Sequence, residues 1–246
     1  MAGREGGDGR WPTGVASLDR LLGGGLEGDS LTEIYGEGGS GKTVFCLALA
    51  VRAVAEGRWV LYIDTEGVSP HRLAATAAGL APGALDRLLV VAPPDLASQN
   101  RAVHRARLLA SDAERPVGLI VVDSLTRHYR LARTEDDEDE ARRSLADEIA
   151  ELAFAARRGD LPVVFTNQVY QSRREETLEP IAGLFLQHAA KTILRFDRSA
   201  GSLRQVTLMK HRDRPPGTAS FRITDRGIED AGRDGPGDNR DKPPSP

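Results

Sequence analysis

Eight consecutive residues, Gly36-Glu37-Gly38-Gly39-Ser40-Gly41-Lys42-Thr43, constrain this chain more than any other feature. They satisfy GxxxxGK[ST] at every fixed position. The apolar run Ser30–Tyr35 leads into them and the helical pattern Thr43–Glu56 leads out. That strand–loop–helix context separates a phosphate-binding loop from a chance glycine-rich turn. Glycines let backbone N–H groups curl around phosphate oxygens without Cβ clashes. The start of the helix adds partial positive charge. Lys42 is expected to reach the β- and γ-phosphates and the Thr43 hydroxyl to ligate magnesium. ATP and Mg2+ are therefore the expected ligands.

A loop of this kind requires an α/β fold, and the rest of the chain agrees. Strands are expected at Ser30–Tyr35, Trp59–Asp64, Leu88–Ala92, Val117–Asp123 and Leu161–Asn167. Helices are expected at Thr43–Glu56, Pro70–Ala78, Asp95–Ala113 and Glu140–Arg157. The strands are continuous Val/Ile/Leu runs, as in a sheet covered by helices on both faces. Alternation of strand and helix implies a mainly parallel, twisted sheet. After Gln187 three apolar runs, Thr192–Phe196, Arg204–Met209 and Ser220–Ile223, follow one another across short turns. They read as a C-terminal antiparallel extension. Ser69-Pro70 offers a helix cap and a first-turn proline. Leu145, Ile149, Leu152 and Ala156 recur at helical spacing. Residues 1–11 are expected to be flexible, 12–230 to form one ATPase domain, and 231–246 to be a disordered Gly/Pro/Asp tail.

Acidic residues end two of the strands. Leu119-Ile-Val-Val-Asp123, about 80 residues past the loop, has the form that holds magnesium through water. Val60-Leu-Tyr-Ile-Asp64-Thr-Glu66-Gly67 ends at the same rim, because parallel strands gather their carboxyl ends there. Glu66 can serve as the base for an attacking water. On position alone a solvated loop acid fits equally well. A third strand ends Thr166-Asn-Gln168, where Gln168 can sense a γ-phosphate or simply cap the strand.

Several motifs in order carry a resemblance: Thr13-Gly-Val-Ala-Ser-Leu-Asp19, Leu22-Gly-Gly-Gly-Leu26, Asp64-Thr-Glu-Gly67, Asp123-Ser124 and Thr166-Asn-Gln-Val169. Together they resemble the RecA/RadA recombinase family over roughly residues 12–228. Lys210-His-Arg212 with Arg214-Pro215, and the absence of a helix–hairpin–helix segment before the core, are similar to an archaeal paralogue branch. The resemblance implies a RecA-like P-loop ATPase core. It implies that Glu66 is the catalytic glutamate and Gln168 the switch glutamine that links nucleotide state to the DNA-facing loop. It implies that Arg72 packs on the adenine. It also implies partners: DNA, bound weakly and as a single strand, the main recombinase RadA, and further copies of the chain. In RecA and KaiC relatives a Lys-x-Lys or Lys-x-Arg pair acts on a neighbour's γ-phosphate. Lys210 and Arg212 fit that pattern, and equally fit a basic strand end in solvent.

Charge sets limits on this picture. A net charge of -3 gives no global basic field for coating DNA. The segment after Asp123, read as the first DNA loop, offers Arg127 and Arg130 and then runs into six consecutive acids, Glu135–Glu140. Those acids repel phosphate, or begin the next helix, where its dipole favours them, and both can hold at once. The second loop, about Tyr170–Pro180, is short, and Glu175 and Glu176 offset its Arg173 and Arg174. An accessory recombination protein with a weak ATPase is the expected function. A KaiC-like signalling ATPase and an active strand-exchange recombinase are the alternatives. One cysteine, Cys46, excludes a disulfide framework and fits a core position on the first long helix. No signal peptide or membrane-length apolar run is visible, so a cytoplasmic location is expected.

Overall fold

Val60-Leu-Tyr-Ile63 shows how the fold is divided. Val60 and Tyr62 enter one buried cluster and Leu61 and Ile63 the other, so one strand feeds cores on both faces of its sheet. In the computed structural model the described residues are 9–112, 114–133, 138–171 and 178–232. In chain order the elements begin with β1 (Arg10–Trp11), α1 (Ala16–Leu22), β2 (Leu26–Glu27), β3 (Leu31–Tyr35), α2 (Lys42–Ala55), β4 (Trp59–Asp64) and α3 (Pro70–Thr76). A 3-10 turn at Ala84–Arg87 precedes β5 (Leu88–Val91), α4 (Leu96–Leu109), β6 (Val117–Asp123), α5 (Thr126–Ala132), α6 (Glu138–Gly159) and β7 (Val163–Asn167). The chain continues through β8 (Val169–Gln171), β9 (Leu178–Pro180), α7 (Gly183–Ala189), β10 (Thr192–Arg198), β11 (Leu203–Lys210), β12 (Gly217–Thr224) and β13 (Gly227–Asp230).

Nine strands form one sheet in the order β13-β12-β11-β10-β3-β7-β6-β4-β5. From β10 to β5 every pairing is parallel, and from β10 to β13 every pairing is antiparallel. The expected mainly parallel sheet with a C-terminal antiparallel extension is what forms. On one face α1 and α2 pack over Ile34, Val60, Tyr62, Leu119 and Val121. On the other, α4, α6 and α7 pack over Leu61, Ile63, Ile120, Val122 and Phe165. Leu145, Ile149, Leu152 and Ala156 of α6 are all buried, as their spacing predicts. Cys46 is buried on α2. Ser69 caps α3 by accepting from the Arg72 N–H at 3.3 Å, as expected of Ser-Pro.

Two expectations need correction. Arg10 and Trp11 do not belong to a flexible lead; they pair with Glu27 and Leu26 as β1 and β2. The tight Gly25 turn allows this approach, since a Cβ there would strike the Trp11 carbonyl. Arg127–Arg133 is not a loop. Thr126–Ala132 is helix α5, because Leu125 and Tyr129, one turn apart, bury against the core. Glu138, Asp139 and Glu140 form the first turn of α6, the dipole-favoured arrangement. Arg173, Arg174, the acids 135–137 and the tail from 233 lie outside the described residues. Among the described residues no helix is long and apolar enough to cross a membrane.

Candidate functional site: the phosphate cleft

The carboxyl ends of β3, β4, β6 and β7 meet at one rim, and the loop Gly36–Thr43 crosses it. Gly36 passes so close to the Phe196 carbonyl of β10 that any Cβ would collide with it. Gly41 takes φ 97° at the cap of α2, with Ile223 and Phe221 packed against it. A cleft of about 620 Å³ opens beside the loop. Lys42, Thr43, Glu66, Arg72, Asp123 and Gln168 all line it, so the structure brings these sequence-identified residues together. Lys42 Nζ donates to the Gly36 and Glu37 carbonyls at 2.6 and 3.0 Å, folded back on its own loop. Burial pushes its pKa below the ordinary value, and the charges of Asp123 and Glu66 act the other way.

Asp123 is the buried floor of the cleft. Its carboxylate accepts from Thr166 Oγ1, from Tyr62 Oη at 2.9 Å and from the Thr43 hydroxyl. Burial raises its pKa, and these three donors oppose the rise. Burial likewise pushes the Tyr62 phenol well above its usual value, reinforced by the Asp123 charge. Thr43 and Asp123 thus present two hard oxygen groups to one point beside the loop, a donor set that suits magnesium. Ser40 Oγ is buried in the loop without a hydrogen-bond partner among the described residues. The residues present fit a magnesium nucleotide.

Glu66 is held from several directions. Its Oε1 accepts from Ser124 Oγ at 2.7 Å and from Gln168 Nε2 at 2.6 Å. Its Oε2 faces the Arg127 guanidinium at 3.8 Å. The turn that carries it is fixed by Asp64, which accepts from the N–H groups of Glu66, Gly67 and Val68 at 2.7–3.1 Å. Asp64 is therefore the turn's cap and Glu66 the acid that faces the cleft. Thr65 Oγ1 accepts from Ser124 N–H and donates to its carbonyl, both at 2.8 Å, which locks β4 to β6 at this point. The peptide between Asp123 and Ser124 is cis.

Other sequence-identified residues sit differently. Arg72 lines the cleft, but its guanidinium donates to the Thr224 carbonyl at 2.8 Å. Arg130 is exposed on α5 and reaches the cleft. Lys210 pairs in register with Ile193, at the opening end of β10, and so lies away from its own phosphate loop. Its Nζ donates to the Gln187 and Ala190 carbonyls, at 2.6 and 2.8 Å, where α7 ends. Arg212 pairs with Glu27 at 3.1 Å and Asp29 at 3.0 Å. Sequence reasoning gave no site role to Tyr62, Ser124, Thr166 or Arg204. The last supports the loop through Nε to the Gly39 carbonyl at 3.1 Å.

The comparisons with known proteins agree with this geometry. The model of the Rad51 family matches residues 10–231. The DNA repair and recombination protein RadB of Halobacterium salinarum is 42% identical over 230 residues, 91% of this chain and 96% of that protein. RadB of Methanococcoides burtonii is 40% identical over 215 residues, covering 86% of this chain and 93% of that protein. A crystal structure of the RadB recombinase superposes with a TM-score of 0.75 at 40% identity, covering 89% of this chain and 98% of that one. RadB is the archaeal paralogue branch that the Lys210–Pro215 pattern resembles, and the chain belongs to the Rad51 family.

Proposed function

We propose that this chain binds ATP with magnesium in the phosphate cleft, hydrolyses it slowly, and acts in DNA repair and homologous recombination as an accessory to the main recombinase RadA. One observation carries the reading. Glu66, beside the phosphate loop, is bonded to Gln168 and faces Arg127 on α5, so the nucleotide side and a potential DNA side meet on one carboxylate. Lys42 leaves its loop carbonyls for the phosphates. When bound, with Thr43 and Asp123 as its protein partners, magnesium supplies charge that offsets the phosphate oxygens. Glu66 takes the proton of the attacking water at Oε2, the oxygen that Ser124 and Gln168 leave uncommitted. Gln168 reports the γ-phosphate by exchanging its bond to Glu66.

DNA binding is weak in this reading because the cations of α5 are partly spoken for. Arg127 faces Glu66, and Arg133 pairs with Glu138 at 2.7 Å. Arg130 is exposed and has no ion pair among the described residues, and few phosphate contacts mean modest, salt-sensitive affinity. Arg173 and Arg174 belong to the same proposal. Lys210 lies away from its own phosphate loop, which supports a role for Lys210 and Arg212 at a neighbour's γ-phosphate, and that role requires them to leave Ala190 and Glu27.

The test is ATP binding and turnover with and without single-stranded DNA, alongside a pull-down with RadA. Magnesium-dependent binding, slow turnover and RadA capture are expected. Efficient strand exchange by the chain alone would overturn the accessory role. Nucleotide-dependent rings without DNA binding at low salt would favour the KaiC-like alternative.

A further inference from the structure

Beneath the cleft lies a buried polar chain that the proposed chemistry does not use. Asn167, Thr126 and Glu33 are each 0% exposed. The Asn167 amide nitrogen donates to Glu33 Oε1 at 2.8 Å and to the Ile181 carbonyl at 2.9 Å. Its oxygen accepts from Thr126 Oγ1 at 2.8 Å. Two acceptors on one side and a hydroxyl on the other fix which end of the amide is nitrogen. Both amide hydrogens and the carbonyl are committed.

The chain surrounds Gln168. The Gln168 N–H donates to Thr126 Oγ1 at 3.3 Å, and the Gln168 carbonyl accepts from Ile181 N–H at 3.0 Å. The residue whose side chain holds Glu66 is therefore tied by its backbone to the start of α5 on one side. On the other side it is tied to the corner between β9 and α7. Asn167 joins both ties through one amide, and Glu33 anchors that amide to the strand leading into the phosphate loop. Beyond these ties lies a groove of about 1150 Å³ lined by Tyr129, Arg130, Tyr170, Leu184 and Phe185. Leu184 is 77% exposed, so the groove wall is apolar as well as basic.

The geometry points to Asn167 as a positioning residue that passes the state of Gln168 to α5 and to the β9–α7 corner together, with Thr126 as the link on the α5 side. Where the shift of Gln168 toward a γ-phosphate carries its backbone along, the Thr126 and Ile181 bonds shift or break with it. A buried network of this kind has few alternative partners, so its arrangements are discrete. The inference rests on the ATP reading above.

Hydrogen exchange on the full chain, with and without ATP and magnesium, tests it over peptides covering 126–132 and 178–189. A fluorescent ATP analogue reports affinity separately. In the wild type, ATP is expected to slow exchange in both segments. Thr126→Val, nearly the same shape without the hydroxyl, is expected to hold ATP affinity within about twofold and shrink the ATP-dependent change over 126–132 at least about fivefold. Thr126→Ser should restore that change, which a merely structural role would not require. Asn167→Ala is expected to lose the change in both segments. If that variant does not fold, the Thr126 pair decides. Wild-type responses in Thr126→Val overturn the inference. A wild type that binds ATP without any response in either segment overturns it as well, and leaves the ATP reading standing. Failure of the wild type to bind ATP removes both.

Discussion

Two buried glutamates, Glu33 and Glu27, are held in opposite ways. Glu33, on β3, is bonded by the neutral Asn167 amide, and burial raises its pKa to about 7 against the pull of that bond and of the Lys210 charge. Glu27, at the end of β2, meets Arg10 and Arg212, each at 3.1 Å. Arg10 continues to Asp213 and Arg212 to Asp29, so the corner is a chain of alternating charge centred on Glu27. It fastens the first strand to the segment after β11. Where an acid meets fixed cations, its charge serves as a clasp. Where it meets an amide, its charge answers to pH, and the polar chain around it leads to the cleft. Chemistry should therefore fail at the cleft end without loss of folding, and folding should weaken at the corner without loss of chemistry.

The largest effect expected is from Glu66→Gln. An amide still accepts from Ser124 and Gln168 but takes no proton, so turnover should fall on the order of 10³-fold with ATP affinity and melting temperature nearly unchanged. Single-turnover ATPase assays and thermal melts check it, and retained turnover would move the base elsewhere. Next is Glu33→Gln, which tests the acid without a clasp. Because its folded pKa lies above its unfolded value, the contribution of Glu33 to stability is greatest below pH 4.5 and declines as pH rises to about 7. The stability difference in favour of Glu33→Gln should grow across that window by roughly 3 kcal/mol, at about 1.4 kcal/mol per pH unit of pKa shift. Urea unfolding at pH 4.5, 6 and 8 measures it, and a difference that stays flat would mean Glu33 remains ionised throughout.

The sequence makes the two ends unequally legible. The phosphate loop, Asp123 and Glu66 are readable because each belongs to a local pattern ending a strand. Tyr62 reads as core, and only the register of β4 on β6, with Asp64 opposite Asp123, sets its hydroxyl beside the carboxylate. Asn167 carries no signal of its own beside Gln168, and Glu33, its acceptor, is 134 residues away. The clasp at Glu27 joins residues 10, 27 and 212, which no local pattern connects. Helix α5 is hidden because arginines interrupt its short buried face, so it passes for a basic loop. Local signals survive in a sequence; contacts made by register and closure do not.

Lys42→Ala probes the cleft end again, through binding. The ammonium is partly buried and its own partners are loop carbonyls, so the folded chain loses little when it is removed. ATP affinity should fall about 100-fold, near 2.7 kcal/mol, with thermal stability held or slightly raised. Titration with the fluorescent analogue reads the first and a melt without nucleotide reads the second. A large loss of stability would mean that Lys42 is a structural residue like those at the corner, and the contrast between the two ends would weaken.

Glu27→Ala is the converse and the smallest of these effects. It leaves Arg10, whose side chain is 15% exposed, and the more exposed Arg212 without their shared carboxylate. Breaking a fully buried pair costs roughly 3–5 kcal/mol, and the access of Arg212 to solvent reduces this to about 2 kcal/mol. Urea midpoints should drop accordingly, while ATP affinity stays at the wild-type value because the corner and the cleft share no side chain. Double replacement with Arg212→Met should recover part of the loss, since it removes the cation stranded by the first change. If Glu27→Ala instead alters turnover in the assembled protein, then Arg212 acts beyond the clasp, and its release toward a neighbouring copy becomes the reading to pursue.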